Sequence, residues 1–300
     1  MFAVRWWYLG GVALALLAGA PGPVARAQQP GQVVQIGLPQ NLFRDFPKVT
    51  VEALMPTFTK LMDSQTGMRV HVNLLSGPDE VTRQLAESKV QLGVFHGFEF
   101  AWAQTRFPDL KPLVIVVKQS SKLSAQVIVA KDSGYEKLED LKGQPLAIPR
   151  GTPEHARLFL SRRTRLVGLR QDKFFGNCST PPHVAAALDD VANGRVRATI
   201  VDSVAWENYQ WMNPVKAGKM RPIMQSEAFP TGVIAYREGA LPASELKRFQ
   251  DGLVSAHQRS EGMQLMMLWK MKKFEIAPAD YQASLAEIAK AYPPPIGDEP

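Results

Sequence analysis

Short apolar runs typical of strands alternate along this chain with longer segments whose apolar residues recur at helical spacing. Between Val51 and Met62 the apolar residues return every three or four positions, and Gly67 ends the pattern. The runs VVQIGL, RVHVNLL, LGVF and PLVIVV predict strands around such helices. This alternation predicts an α/β fold with mostly parallel sheets, whose ligand loops lie at the carboxyl ends of the strands.

The same alternation starts again after PLVIVV. AQVIVAK, PLAIP and VRATIV predict strands, a further strand pair is predicted at RPIMQ and GVIAYR, and three helices follow. A chain of about 270 residues exceeds what one core comfortably fills. We therefore predict two lobes joined by two crossover strands that act as a hinge. Residues 28–118 and 231–300 form lobe 1, and residues 119–230 form lobe 2, which is inserted into it.

The first 27 residues have the pattern of a secretory signal peptide. Arg5 precedes an apolar run from Leu9 to Ala20, and the A-x-A site Ala25–Ala27 stands before a polar segment. The apolar run is short for a membrane span, and no cysteine follows the cleavage site to accept a lipid. We expect a mature protein that begins at Gln28 and is released into the periplasm.

Charge and cysteine content narrow the function classes. Removing Arg5 and Arg26 with the leader lowers the 35 basic residues to 33 against 28 acidic ones, a net charge of +5. This mild, dispersed excess does not indicate nucleic-acid binding. Cys178 is the single cysteine, so no internal disulfide can form, and we interpret it as a small buried or loop thiol. No G-x-S-x-G motif or Gly-rich phosphate loop appears, and we predict that the protein is not an enzyme.

The stretch AIPRGTPEHARLFL, which begins at Ala147, joins a predicted strand to a helix through a Pro-Arg-Gly turn. Backbone N–H groups at such a helix start favour anions. Ordinary capping explains the same letters, with Thr152 as N-cap, Pro153 at the first helical position and Glu154 in the first turn. Both interpretations remain open on this stretch alone.

Residues at the carboxyl ends of the predicted strands should meet around one cleft. The candidates for ligand binding there are Asn41, His96, Phe98, Glu99, Arg150, Gly151, Thr152, His155, Asp202 and Ser203. Asp202 also suits the N-cap of the helix that follows it, and Phe98 also suits the core. No His-x-His or His-x3-His spacing occurs, so we predict no metal and no cofactor, although a meeting of His96, His155 and His183 stays open.

Three segments in this order, KDSGYEKLEDLKGQPLAIPRGT, HVAAALDDVANGRV and FPTGVIAYREG, resemble the phosphate/phosphonate-type substrate-binding proteins of ABC transporters. The resemblance covers nearly the whole mature chain. It implies the type 2 periplasmic binding fold, in which two lobes joined by crossover strands hold a ligand between them. The segment DSGYEKLEDLKGQPLAI is the most specific match, and it marks the superfamily rather than the ligand.

The resemblance also implies site residues. The family's ligand cradle typically reads Ser-Thr-Ser-Gly, and the matching letters here are Gly151, Thr152, Pro153 and Glu154. Only Thr152 keeps a hydroxyl, Pro153 lacks a donor N–H, and Glu154 would repel a dianion. Arg150 offers a guanidinium in compensation. The family's histidine matches His183, so this chain looks like a divergent member.

These observations predict a binding protein that captures a small anionic or zwitterionic solute and delivers it to the permease of an ABC transporter. We expect a monomer that binds no nucleic acid. One alternative is a ligand-sensing periplasmic partner of a membrane signalling receptor, which would use the same lobe closure with a different output. A metal or metal-chelate binder is a further alternative.

Overall fold

The computed structural model describes residues 33–44, 46–118, 122–268 and 271–295, in which strands and helices alternate. The predicted signal peptide lies outside these residues. The strands are β1 (Val34–Pro39), β2 (Val70–Leu75), β3 (Leu92–Phe95), β4 (Leu110–Val117), β5 (Lys122–Leu123), β6 (Ala125–Ala130), β7 (Pro145–Ala147), β8 (Asn177–Ser179), β9 (Ala198–Asp202), β10 (Met220–Gln225), β11 (Phe229–Pro230), β12 (Val233–Arg237) and β13 (Lys273–Glu275). The helices are α1 (Lys48–Thr66), α2 (Pro78–Ala86), α3 (Gly97–Arg106), α4 (Glu154–Leu166), α5 (Gln171–Phe174), α6 (Val184–Ala192), α7 (Ser203–Met212), α8 (Pro214–Ala217), α9 (Ala243–Val254), α10 (Ser260–Leu268) and α11 (Tyr281–Ala291).

Two mixed sheets organise the described chain. The first has six strands in the order β13-β4-β12-β3-β1-β2, and the second has five in the order β10-β6-β9-β7-β8. The strands β2, β1 and β3 are parallel, as are β8, β7 and β9, whereas β12 and β6 run antiparallel to both of their neighbours. The larger sheet therefore takes strands from both ends of the chain, and the smaller sheet takes only the middle.

The two segments that pass between the sheets pair with each other. In the short antiparallel ladder of β5 and β11, Phe229 is opposite Leu123 and Pro230 is opposite Lys122. The predicted lobe boundary after residue 230 falls at the end of β11. The other boundary falls next to residues 119–121, which lie outside the described residues, so the assignment of chain segments to lobes stays a prediction.

The predicted strand pair RPIMQ and GVIAYR was wrong as a pair, although both segments are strands. RPIMQ lies in β10 and pairs with β6 in the five-stranded sheet, whereas GVIAYR contains β12, which lies between β3 and β4 in the six-stranded sheet. The chain changes sheets between them through β11, so two strands that are neighbours in sequence are not neighbours in space.

Helices cover both faces of each sheet because each face is apolar. Phe58 of α1 and Phe249 of α9 pack with Val34 of β1 on one face of the larger sheet. On the smaller sheet, Leu188 of α6 and Trp206 of α7 pack in a separate cluster. The remaining faces of both sheets share one continuous apolar cluster, which includes Phe95, Phe100, Ile115, Val127, Phe159, Ile200, Phe229 and Leu285.

The start of α3 touches the chain that returns to the larger sheet. A Cβ atom added to Gly97 would lie 2.2 Å from the carbonyl oxygen of Pro230 and 2.6 Å from that of Thr231. Real Cβ contacts are never so short, because the atoms would overlap. Only glycine therefore fits at this point, which lies in the junction between the two sheets.

The start of α6 is fixed by a side-chain cap. This helix begins at Val184, because the Nδ1 atom of His183 accepts a hydrogen bond of 3.1 Å from the backbone N–H of Ala186. Within the described residues, no helix is both long and apolar enough to cross a membrane.

Candidate functional site

The acid predicted at the end of β3 is held by neutral groups. Glu99, in the first turn of α3, is 3 % exposed. One carboxylate oxygen accepts a hydrogen bond of 2.6 Å from the side-chain amide of Asn41, and the other accepts one of 3.0 Å from the backbone N–H of His96. Burial is the main cause that raises the pKa of Glu99 to about 7, and the nearby negative charges of Glu154 and Asp79 raise it further. The two hydrogen bonds offset only part of this rise.

The acid at the end of β9 lies against a histidine ring and backbone N–H groups. Asp202 caps α7, as the sequence suggested, since its Oδ1 atom accepts a hydrogen bond of 2.9 Å from the N–H of Val204. Its Oδ2 atom lies 3.2 Å from Nε2 of His155. Burial raises the pKa of Asp202, but the contact with the His155 ring and the backbone N–H groups outweigh burial and hold that pKa below its usual range.

Aromatic rings connect these two acids. The ring of His96 stacks on Phe98 at 5.8 Å, Phe98 meets Phe229 edge-on at 6.1 Å, and Phe229 lies 5.4 Å from the ring of His155. We call Asn41, His96, Phe98, Glu99, His155, Asp202 and Phe229 the central cluster. Because His96 and His155 follow strands of different sheets, the central cluster spans the space between the sheets.

Three polar atoms of the central cluster are buried without a hydrogen-bond partner among the described residues. They are Oδ1 of Asn41, Nε2 of His96 and Nε2 of His155. The 3.2 Å contact of His155 with Asp202 is close enough for a charge interaction, but the ring N–H is not directed along a hydrogen bond. Burial, together with the positive charges of Lys118, His155 and Arg44, lowers the pKa of His96 to about 3, so its ring is neutral.

The turn after β7 is built differently from the capping interpretation. Pro153, not Thr152, is the N-cap of α4, and no side chain caps this helix. The Thr152 hydroxyl instead donates a hydrogen bond of 2.6 Å to the carbonyl of Pro149, because the left-handed backbone of Gly151 (φ 74°) folds the turn back on itself. The prediction of Thr152 as N-cap and Pro153 as first helical residue was therefore wrong.

The other predicted residues lie on the turn after β7 and at the starts of α6 and α7. Arg150 and Gly151 are exposed on the turn, and the N–H of Arg150 donates to the carbonyl of Pro181 at 2.8 Å. His183 is exposed and caps α6. The hydroxyl of Ser203 lies 2.6 Å from that of Ser124, close to the start of α7.

No group of three His, Cys, Asp or Glu side chains in the described part of the chain is arranged to hold a metal ion. His183, on the exposed start of α6, does not join His96 and His155 in the central cluster. Cys178 was expected in the core or a loop, but it is exposed and lies on β8, the edge strand of the five-stranded sheet. Burial, and to a lesser extent the charge of Asp172, raise the pKa of its thiol.

Two residues outside the predicted set contact this region. Phe229 contributes the ring between the two histidines, and Arg44 forms a two-pronged ion pair with Glu154 at 2.5 and 3.0 Å. Arg44 could have been suspected from the sequence, because it is a cationic residue three positions after Asn41. No comparable signal marked Phe229, which stands in a two-residue strand.

Comparison with known proteins assigns the family. Residues 43–281 match the family described as ABC transporter, phosphonate, periplasmic substrate-binding protein. The chain belongs to this family. As a phosphonate-type substrate-binding protein it is a component of an ABC transporter, and its relatives work in the periplasm. No curated protein matches this sequence.

Solved structures show the same two-lobed fold. A binding protein component of an ABC phosphonate transporter from Pseudomonas aeruginosa is 16% identical, with a TM-score of 0.55 over 86% of this chain and 85% of its own. A Xanthomonas citri protein bound to ATP is 14% identical, with a TM-score of 0.57 over 87% and 96%. A Prochlorococcus marinus protein in complex with methylphosphonate is 15% identical, with a TM-score of 0.54 over 86% and 97%.

Proposed function

We propose that this phosphonate-type substrate-binding protein captures a small solute in the cleft between its lobes and presents it to the permease of its ABC transporter. The solute carries an acidic group and a second group that is positively charged or donates hydrogen bonds. Closure of the lobes around the hinge brings residues of both lobes onto the solute. The protein acts as a monomer and catalyses no reaction.

The observation that carries this proposal is the set of buried polar atoms without partners in the central cluster. A buried donor or acceptor without a partner costs about 1 to 3 kcal/mol. Oδ1 of Asn41, Nε2 of His96 and Nε2 of His155 come from both sides of the cleft, and aromatic rings lie between them. A small solute with polar groups would supply the missing hydrogen bonds, and the apolar ring faces would exclude water around it.

The charges around the cleft favour a solute that is not a simple dianion. Glu154 is paired with Arg44, and Asp202 lies against His155. No ion pair joins Glu99 to a cationic side chain of the described residues, so we propose that Glu99 receives the positive group. Arg150 and the N–H groups after Gly151 hold the acidic group, because the turn and the helix start favour an anion.

Titration calorimetry of Arg150→Ala tests the proposal after native mass spectrometry has identified the solute that copurifies with the protein. Methylphosphonate, which a structural relative binds, is the first compound for comparison. Losing the guanidinium should cost about 2 to 5 kcal/mol of binding, as for a truncated buried charge pair.

Arg195→Ala is the matched control, because Arg195 is an exposed arginine just after α6 that forms an ion pair with Asp190 at 3.2 Å. Its affinity should equal that of the wild type. Unchanged affinity in Arg150→Ala, with a normal circular dichroism spectrum, would show that the turn after β7 is only a helix start. Turnover of the bound solute into a new compound would contradict a pure binding role.

The proposed function in the periplasm also requires that the protein is exported. We propose that the signal peptide is cleaved after Ala27, since the A-x-A site directly follows the apolar run. Sequencing of the mature protein from the periplasmic fraction should begin at Gln28. Recovery of a chain that still starts at Met1 would contradict this step.

A further inference from the structure

One ion pair crosses from the loops of the larger sheet to those of the smaller sheet. Nε and Nη2 of Arg44 donate to the two carboxylate oxygens of Glu154 at 2.5 and 3.0 Å. Arg44 follows β1 by way of a short 3-10 turn, Gln40–Phe43, whereas Glu154 is the first residue of α4, which follows β7. The two partners are 110 residues apart in the chain and belong to different sheets.

Glu154 lies at a partly buried helix start, where its negative charge is favoured and a cation from the other side of the cleft can bind it. Its side chain is 14 % exposed, compared with 51 % for Arg44. The first turn of α4 favours a negative charge, because the N–H groups there are not paired within the helix. Nε of Arg157, one turn along, is 4.0 Å from the same carboxylate oxygen but donates its hydrogen bond to the carbonyl of Thr152. Arg44 therefore makes the shorter contacts with this carboxylate.

The geometry makes the pair sensitive to lobe position. Two parallel N–H···O bonds require the guanidinium and the carboxylate to lie in one plane at short range, and a separation of a few ångströms breaks both. Rotation of one lobe away from the other moves β1 and its loop relative to α4. The pair therefore forms only when the cleft is closed.

We propose that Arg44 and Glu154 form an interlobe clasp that stabilises the closed cleft, and that this clasp helps to set the affinity for the solute. The proposal rests on the proposed capture of a solute between the lobes. It also gives a reason for the acidic residue in the cradle, where the family resemblance implies a glycine. The carboxylate there is used by the protein itself, as an anchor for the opposite lobe.

Distance measurements between spin labels test the clasp without any solute. Cys178 on β8 is the single native cysteine and is exposed, and Val49→Cys on α1 adds a second exposed site in the first lobe. Double electron–electron resonance on this doubly labelled protein reports the ratio of closed to open molecules. Glu154→Gln and Arg44→Gln should each lower that ratio about 2- to 5-fold, the range expected for a partly exposed ion pair.

A double-mutant cycle separates the clasp from general charge effects. The variant with both Arg44→Gln and Glu154→Gln should be no more open than the more open single variant, because the two groups act through each other. High salt should open the parent protein but not Glu154→Gln, since screening weakens an ion pair that the variant lacks.

Glu136→Gln is the matched control, because Glu136 pairs with Arg221 at 2.8 Å in the region of the smaller sheet. It removes one carboxylate without touching the cleft and should leave the distances unchanged. Equal distance distributions in the parent and both single variants would overturn the clasp. Since no solute is present, that result would leave the proposed capture of a solute intact, whereas a solute that fails to bind would leave the clasp intact.

Discussion

Two strand-to-helix junctions face the same cleft and place an acid there in opposite electrostatic states. At the junction of β3 and α3, Glu99 is buried among neutral donors, and its pKa is raised to about 7. At the junction of β9 and α7, Asp202 lies against His155, and its pKa is held below the usual range. Both acids are withdrawn from water, so burial alone does not decide which form is stable.

The groups around each carboxylate decide whether its charged or its neutral form is favoured. Asn41 and the N–H of His96 are dipoles, and they compensate only part of the cost of burying a charge. The His155 ring lies 3.2 Å from Asp202, and this contact together with two backbone N–H groups of α7 lowers the pKa of Asp202. The pKa of the acid is therefore raised on one side of the cleft and lowered on the other.

Glu99→Gln should give the largest effect, as a change in the pH dependence of stability. The wild-type carboxyl binds a proton more tightly in the folded protein than in the unfolded chain. Stability should therefore fall as the pH rises from about 4.5 to about 7, by about 2 to 3 kcal/mol from this group. The variant keeps the shape but cannot ionise, so this decline should disappear.

Urea unfolding of both proteins at half-unit pH steps measures the difference. The free energy of unfolding of Glu99→Gln, relative to the wild type, should increase across this range. Parallel pH profiles for the two proteins would show that Glu99 titrates normally. Glu99 and Asp202 would then no longer represent opposite electrostatic states.

Asp202→Asn should give a smaller effect of the opposite sign. The lowered pKa means that Asp202 contributes stability above its unfolded-state value and loses it as the pH falls through the folded-state value. Asparagine also caps helices, so the bond from Val204 is kept and the charge alone is removed. We expect a loss of about 1 kcal/mol at pH 7 that vanishes in strong acid. Thermal unfolding at pH 7 and pH 3 measures it, and a loss equal at both values would mean that packing rather than charge is responsible.

His155→Gln should give the smallest change in stability and would sharpen the comparison further. Without the imidazole, burial dominates at Asp202, and its pKa should rise toward that of an ordinary buried carboxyl. In this background Asp202→Asn should cost about half as much as in the wild type. Carbon-detected NMR titration of the Asp202 carboxyl follows the shift. An unmoved pKa would assign the low value to the N–H groups of α7 instead.

The fold class could be predicted because long elements carry a periodic pattern. The α/β class and the two-lobed arrangement are confirmed. Helix α1 extends a few residues beyond the predicted pattern of Val51 to Met62 at each end, and α4 follows the turn after β7 as expected. The elements α5, α8, β8 and β13 were not predicted. They have three or four residues each, too few for any period to show, and contacts with other parts of the chain define them.

The candidate site was less predictable, because its contacts join distant segments. The rule that ligand loops follow strands placed Asn41 and Glu99 near each other, and they are in contact across 58 residues. It also predicted the cap made by Asp202. It could not pair Arg44 with Glu154, since side-chain pairing depends on the relative position of the lobes. The turn at Thr152 was misjudged because a positive φ at Gly151 redirects the hydroxyl to Pro149.

The close approach at Gly97 restricts how the proposed hinge can work. The backbone of α3 already touches the carbonyl oxygens of Pro230 and Thr231, so this junction has no room for the lobes to slide toward each other. The contact opposes any movement that brings α3 closer to the returning chain, so we expect the lobes to rotate rather than slide at this point. Opening and closing of the cleft would then follow a single arc, and the loops on the two sides would meet in the same register each time.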